Sequence, residues 1–130
     1  GLSPYVASKY ALEGYSESLR LELKPFGIDV SLIEPGSYQT NIWASVHGME
    51  INSESPYSSY MESLLNEIEG GKSKHGHPIE VAKLVAQIAA QAKTPDLRYP
   101  IGAGVKNLLR LKNLLPWKLL ESIILKRLNP

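Results

Sequence analysis

The sequence predicts an α/β fold built on a parallel sheet, and three observations carry this. Residues from Ser3 to about Lys24 have few β-branched side chains and are rich in Ala, Leu, Glu, Arg and Lys, the composition of a helix. Pro25 and Gly27 break that pattern, and the short apolar run Ile28 to Ile33 follows, the mark of a largely buried strand. A second helix pattern comes later, from Pro78 to Lys93. Helix and strand alternating across tight turns lay strands side by side in one direction.

The bulk numbers set the frame. At 130 residues the chain has the length of one ordinary domain. A hydrophobic fraction of 43% is that of a globular protein, and a net charge of +1 gives no sign of a nucleic-acid partner. There is no cysteine, which excludes disulfides and thiolate metal sites and agrees with a reducing, cytoplasmic compartment. No apolar run reaches the roughly 18 residues that a bilayer span requires, and the first residues show no signal-peptide pattern.

In the first helix, Ser3 is expected as the N-cap and Pro4 at the first helical position, where its missing N–H is harmless. Tyr5 and Lys9 are four residues apart and share one face. A tyrosine hydroxyl ordinarily titrates near about 10. A neighbouring ammonium and the positive end of the helix macrodipole both favour its ionised form, which would suit Tyr5 to proton exchange with an alcohol or carbonyl. Ala7, Ala11, Gly14 and Ser18 form a small-residue stripe that predicts close packing on the sheet or on another helix. Val6, Tyr15, Leu19 and Leu23 form a bulkier apolar row.

The set Ser3, Pro4, Tyr5, Ala7, Ser8, Lys9, Ala11, Gly14, Ser18, Leu19, Arg20 and Glu22 is followed by Pro35-Gly36-Ser37-Tyr38-Gln39-Thr40. Together they resemble the catalytic helix and the Pro-Gly-x-x-x-Thr turn of the short-chain dehydrogenase/reductase (SDR) family. The resemblance implies the C-terminal part of a Rossmann-like, doubly wound parallel sheet, with two strands and several helices present, and residues 1–130 as the C-terminal half of one NAD(P)-binding domain. It implies an oxidoreductase interconverting an alcohol and a carbonyl, with Tyr5 as acid and base and Lys9 as its activator and ribose ligand. NAD or NADP would be the cofactor, contacted by Tyr5, Lys9, Pro35, Gly36, Tyr38 and Thr40, with no metal. A dimer through the first helix is implied as well. The family's glycine-rich phosphate-binding turn, first strands and catalytic serine have no counterpart here, and Ser3 and Ser8 lie too close to Tyr5 to replace that serine. The expectation is therefore a C-terminal half that is inactive alone. The rival reading is a non-catalytic module that associates through exposed helix and sheet faces.

After Thr40 the pattern loosens. Residues 37–78 are expected as a substrate lid loop carrying one amphipathic helix, about Pro56 to Glu69. Trp43, Met49, Tyr57 and Tyr60 would line an apolar pocket or pack on the body of the domain. Gly71-Lys72-Ser73 mimics the end of a P-loop, but Asn66 stands where its first glycine belongs and no strand precedes it. His75 and His77 lack a third metal ligand, and His47 points nowhere. Pro78 to Lys93 is a helix with Pro78 near its start and a stripe of Val81, Leu84, Val85, Ile88 and Ala92. Arg98 to Gly102 resembles the family's short last strand. Residues 105–129 form two apolar-basic helices, Val105 to Asn113 and Pro116 to Asn129. Three readings of this tail stay open: packing on its own domain or a dimer partner, a wall of a pocket for a lipophilic substrate, or contact with a membrane surface.

Overall fold

The computed structural model describes residues 2–41, 50–71 and 75–128. Helix α1 spans Ser3–Leu23. It starts one residue earlier than expected: Leu2 occupies the cap position, makes no side-chain cap bond, and accepts the Val6 N–H at 2.9 Å. Ser3 is therefore the first helical residue and not the cap. The helix tightens into a 3₁₀ turn, Lys24–Phe26, and is stopped by Gly27 at φ 74, a left-handed conformation that glycine adopts without a Cβ clash.

The expected strand Ile28 to Ile33 lies further along the chain. Strand β1 is Leu32–Pro35, paired in parallel with β2, Arg98–Ile101, in the register Leu32↔Arg98 to Pro35↔Ile101. The reason is the partner, since β2 begins only at Arg98. The preceding residues are held by side chains instead. Arg20 donates to the Val30 carbonyl (2.5 Å) and the Pro95 carbonyl (2.6 Å), and the Ser31 hydroxyl donates to the Asp96 carbonyl (2.8 Å). Between the strands runs helix α2, Ser58–Gly71, and then α3, Ile79–Ala90. After β2 come α4, Val105–Leu114, and α5, Trp117–Leu128. Pro116 separates these last two, because the residue before a proline is pushed to extended backbone, as Leu115 is at φ −85 and ψ 136.

The chain groups into two compact units, Gly1–Gly36 with His77–Ile101, and Ser37–Gly76 with Gly102–Pro130. In the first, the strand pair has helices toward both faces. Alternation along β1 turns Glu34 toward α1, where it meets Arg98, and turns Ile33 the other way, toward Val85 and Ile88 of α3. Leu32 is the buried apolar residue of this unit and Ser16 the buried residue of α1. Among the described residues of the second unit Tyr38 is the buried one, and Arg127 of α5 reaches Glu67 of α2 at 2.6 Å.

Among the described residues, the small-residue stripe of α1 is left open. Ala7, Ala11, Gly14 and Ser18 are exposed, and a Cβ at Gly14 would meet nothing within 4 Å. The side turned inward carries Glu13, Ser16, Leu19, Arg20 and Leu23, so two residues of the bulky row, Leu19 and Leu23, do face the sheet. Among the described residues, no helix is long and apolar enough to cross a membrane.

Candidate active site

Helix α1 brings Tyr5 and Lys9 together on its first two turns. The Lys9 ammonium lies over the Tyr5 ring, 5.3 Å from its centroid, a cation–π distance that places a positive charge against the phenol. Tyr5 is 51% exposed and Lys9 is exposed, so both present donors to anything bound on this face. The Ser8 hydroxyl donates to the Tyr5 carbonyl at 2.7 Å, a bond within the helix that makes Ser8 a helix-face residue.

Pro35 and Gly36 sit in the same unit, at the carboxyl end of β1. The Gly36 N–H donates to the Ile101 carbonyl at 2.9 Å, which carries the ladder one step beyond the strand and ties this turn to the end of β2. In open parallel sheets ligands collect beyond these strand ends. The residue before the turn, Glu34, is fixed by Arg98 (2.5 Å), whose guanidinium also reaches Glu13 (2.9 Å) and Glu17 (2.5 Å) of α1. Arg98 therefore joins the helix that carries Tyr5 and Lys9 to the strand that ends in Pro35 and Gly36. Sequence reading missed this clamp. Its trace was an acidic residue inside an otherwise apolar strand, matched by an arginine at the start of the other strand.

Tyr38 and Thr40 belong to the second unit. Tyr38 is 5% exposed and forms a parallel bridge with Gly76, framed by Gly76 N–H to Ser37 carbonyl and Gln39 N–H to Gly76 carbonyl, both 3.0 Å. Its ring lies on Gly76, where an added Cβ would fall 2.6 Å from Cε1. The Tyr38 side chain is thus packed into its own unit, while Thr40 is exposed. Tyr57 is exposed and Tyr60 half-buried. Trp43, Met49, His47, Lys72 and Ser73 lie outside the described residues. His77 Nδ1 accepts the Ile79 N–H at 3.2 Å and so serves the start of α3. Among the described residues no group of three His, Cys, Asp or Glu could hold a metal ion.

A family model described as short chain dehydrogenase matches residues 1–51. The chain is 48% identical over 130 residues to the uncharacterized oxidoreductase YusZ of Bacillus subtilis, covering 98% of this chain and 46% of that protein. The chain is SDR-like. The crystal structure of a short-chain dehydrogenase from Streptomyces avermitilis matches the SDR-like chain with a TM-score of 0.62 at 30% identity, over 97% of this chain and 42% of that one. The NADPH-dependent 3-dehydrocapnine reductase of Ornithobacterium rhinotracheale is 33% identical over 136 residues, 98% of this chain and 45% of that protein. The SDR-like chain spans about half the length of the curated relatives it matches. Its two parallel strands flanked by helices are a part of the Rossmann-like fold that the matched structure represents.

Proposed function

We propose that the protein is an NAD(P)-dependent oxidoreductase that interconverts an alcohol and a carbonyl on a small, lipophilic molecule. The observation that carries this is the Tyr5–Lys9 pair: a phenol and an ammonium one helical turn apart, in contact and exposed on one face. Tyr5 exchanges a proton with the substrate oxygen at its Oη, and Lys9 holds positive charge beside it. The donor chemistry fits a nicotinamide riboside, since the Lys9 ammonium and the Tyr5 hydroxyl are exposed and able to bond ribose oxygens. The bound dinucleotide supplies the hydride chemistry. Pro35 and Gly36 shape the floor of that site, and Tyr38 supports the turn by packing on Gly76. The protein works in the cytoplasm.

The 130-residue chain alone is inert in this proposal, because it lacks a glycine-rich phosphate turn and an upstream serine. A second reading, association with another copy through α1, is favoured by the exposure of Tyr10, Tyr15 and Leu21 along that helix. The deciding experiment is Tyr5→Phe in the active full-length enzyme. Turnover should be lost while dinucleotide affinity stays nearly unchanged, and retained turnover overturns the assignment. Calorimetry on the 130-residue chain should show no tight stoichiometric dinucleotide binding.

A further inference from the structure

Charge is unevenly spread along this chain. Residues 102–128 carry six Lys or Arg against one acid, Glu121, for a net +5; the whole chain is +1, so the remainder carries −4. The same basic stretch exposes large apolar side chains, with Leu108 at 64%, Trp117 at 67% and Leu114 at 80%.

In α4 the two features are ordered. Leu108, Leu111 and Leu114, each three residues from the next, form one exposed row, turned away from the half-buried Val105 and Leu109. Lys106 and Arg110, four residues apart, border the row on one side, and Lys112 borders it on the other. In α5, Arg127 is engaged by Glu67, while Lys118 and Lys126 stand among the exposed Trp117, Leu119 and Leu125.

We infer that α4 and α5 dock on the surface of an anionic lipid bilayer. The leucine row enters the boundary between headgroups and acyl chains, and the flanking cations lie among anionic headgroups, their aliphatic stems covering the edges of the row. The chemistry selects this occupant. A polyanion in water would satisfy the cations but leave three leucines wet. A neutral protein groove would cover the leucines but leave Lys106 and Arg110 without counter-charge. At 10 and 12 residues the two helices are too short to span, so they lie in the plane of the surface.

The test is co-sedimentation of the full-length protein with vesicles of phosphatidylcholine alone and of phosphatidylcholine mixed with phosphatidylglycerol. Partitioning into the anionic vesicles should exceed that into neutral ones by about tenfold or more. It should fall as salt is raised. Leu108→Ser with Leu111→Ser should abolish it, and Lys106→Glu with Arg110→Glu should remove the preference for anionic lipid. Leu12→Ser with Leu21→Ser on α1 should leave it unchanged. Far-ultraviolet circular dichroism checks that each variant stays folded. Equal binding to both vesicle types, no binding, or binding that survives the loss of Leu108 and Leu111 overturns the inference. So does a stable dimer that buries the leucine row, since the occupant would then be a second copy.

Discussion

Arg98 and Glu34 bridge the two strands on the diagonal: Arg98 stands opposite Leu32 and Glu34 opposite Pro100, yet Arg98 Nη1 lies 2.5 Å from Glu34 Oε1. Diagonal neighbours on one sheet face are within reach of a long side chain. The guanidinium is held charged well above its usual range, first by its hydrogen bond to Glu34 and then by the one to Glu17; burial opposes them, and Glu13 adds less than either. Glu34 is the most sheltered of the three acids, with 18% of its side chain exposed, so its pairing carries more weight than the wet pairs to Glu13 and Glu17.

Replacing Arg98 by Met leaves three carboxylates facing one another. A loss of about 1–3 kcal/mol is expected, read as a lower urea midpoint at constant slope. Arg98→Lys should recover only part of it, because one ammonium cannot present the planar fork that serves several carboxylates at once. An unchanged midpoint in Arg98→Met would show the clamp to be idle.

Arg20 closes the approach to both strands by donating to the Val30 and Pro95 carbonyls. Arg20→Lys can serve one of these and Arg20→Met neither. Bonds from a charged donor contribute about 1.5–3 kcal/mol each. Stability should therefore fall in the order Arg20, Lys, Met, and amide exchange at Leu32, whose N–H bonds the Leu97 carbonyl at 2.6 Å, should quicken in the same order. Equal stability of the Lys and Met variants would refute the two-carbonyl role.

Tyr38 and Gly76 are matched in shape. Gly76→Ala puts a methyl 2.6 Å from the ring carbon Cε1, and overpacking of this kind typically costs about 1–3 kcal/mol. Tyr38→Ala removes the obstacle along with the packing. In the double variant the alanine at position 76 should do little further harm, a coupling that a double-mutant cycle measures directly. Simple additivity would mean that the contact is not the reason for the glycine.

Lys9 is proposed to hold charge beside Tyr5 and to bond the cofactor ribose. In the active full-length enzyme, Lys9→Met should lower kcat by about 10²-fold or more and weaken dinucleotide binding as well. This contrasts with Tyr5→Phe, which should spare binding. A Lys9→Met enzyme with unaltered dinucleotide affinity would remove the ribose role.

The helices were legible because their signals are local. The apolar and charged periodicity of Pro78 to Lys93 gave α3, Ile79–Ala90, and the Pro25–Gly27 break gave the end of α1. Tyr5 and Lys9 meet because helical spacing alone brings residues four apart into contact. The strand was misplaced by a few residues because its limits are set by where β2 begins, a fact 66 residues away that no local pattern contains. The packed ring of Tyr38 was illegible for the same reason, since its partner Gly76 lies far along the chain. Ser3 looked like a cap from its chemistry, but the preceding backbone at Leu2 already enters the helix at φ −88 and ψ 0.

The parallel pairing of Leu32 with Arg98, 66 residues later, means that the first unit is assembled from two pieces of chain with the whole 37–76 segment between them. Closing a loop of that length costs about 4 kcal/mol of chain entropy, comparable to what a ladder of four residue pairs returns. The two strands therefore cannot hold each other unaided, and they depend on the helices that cover them and on the Arg98 clamp. Covalent continuity between residues 37 and 76 is itself a stabilising element: a single nick there would turn an internal folding step into an encounter of two separate chains. The strength of the first unit would then depend on dilution.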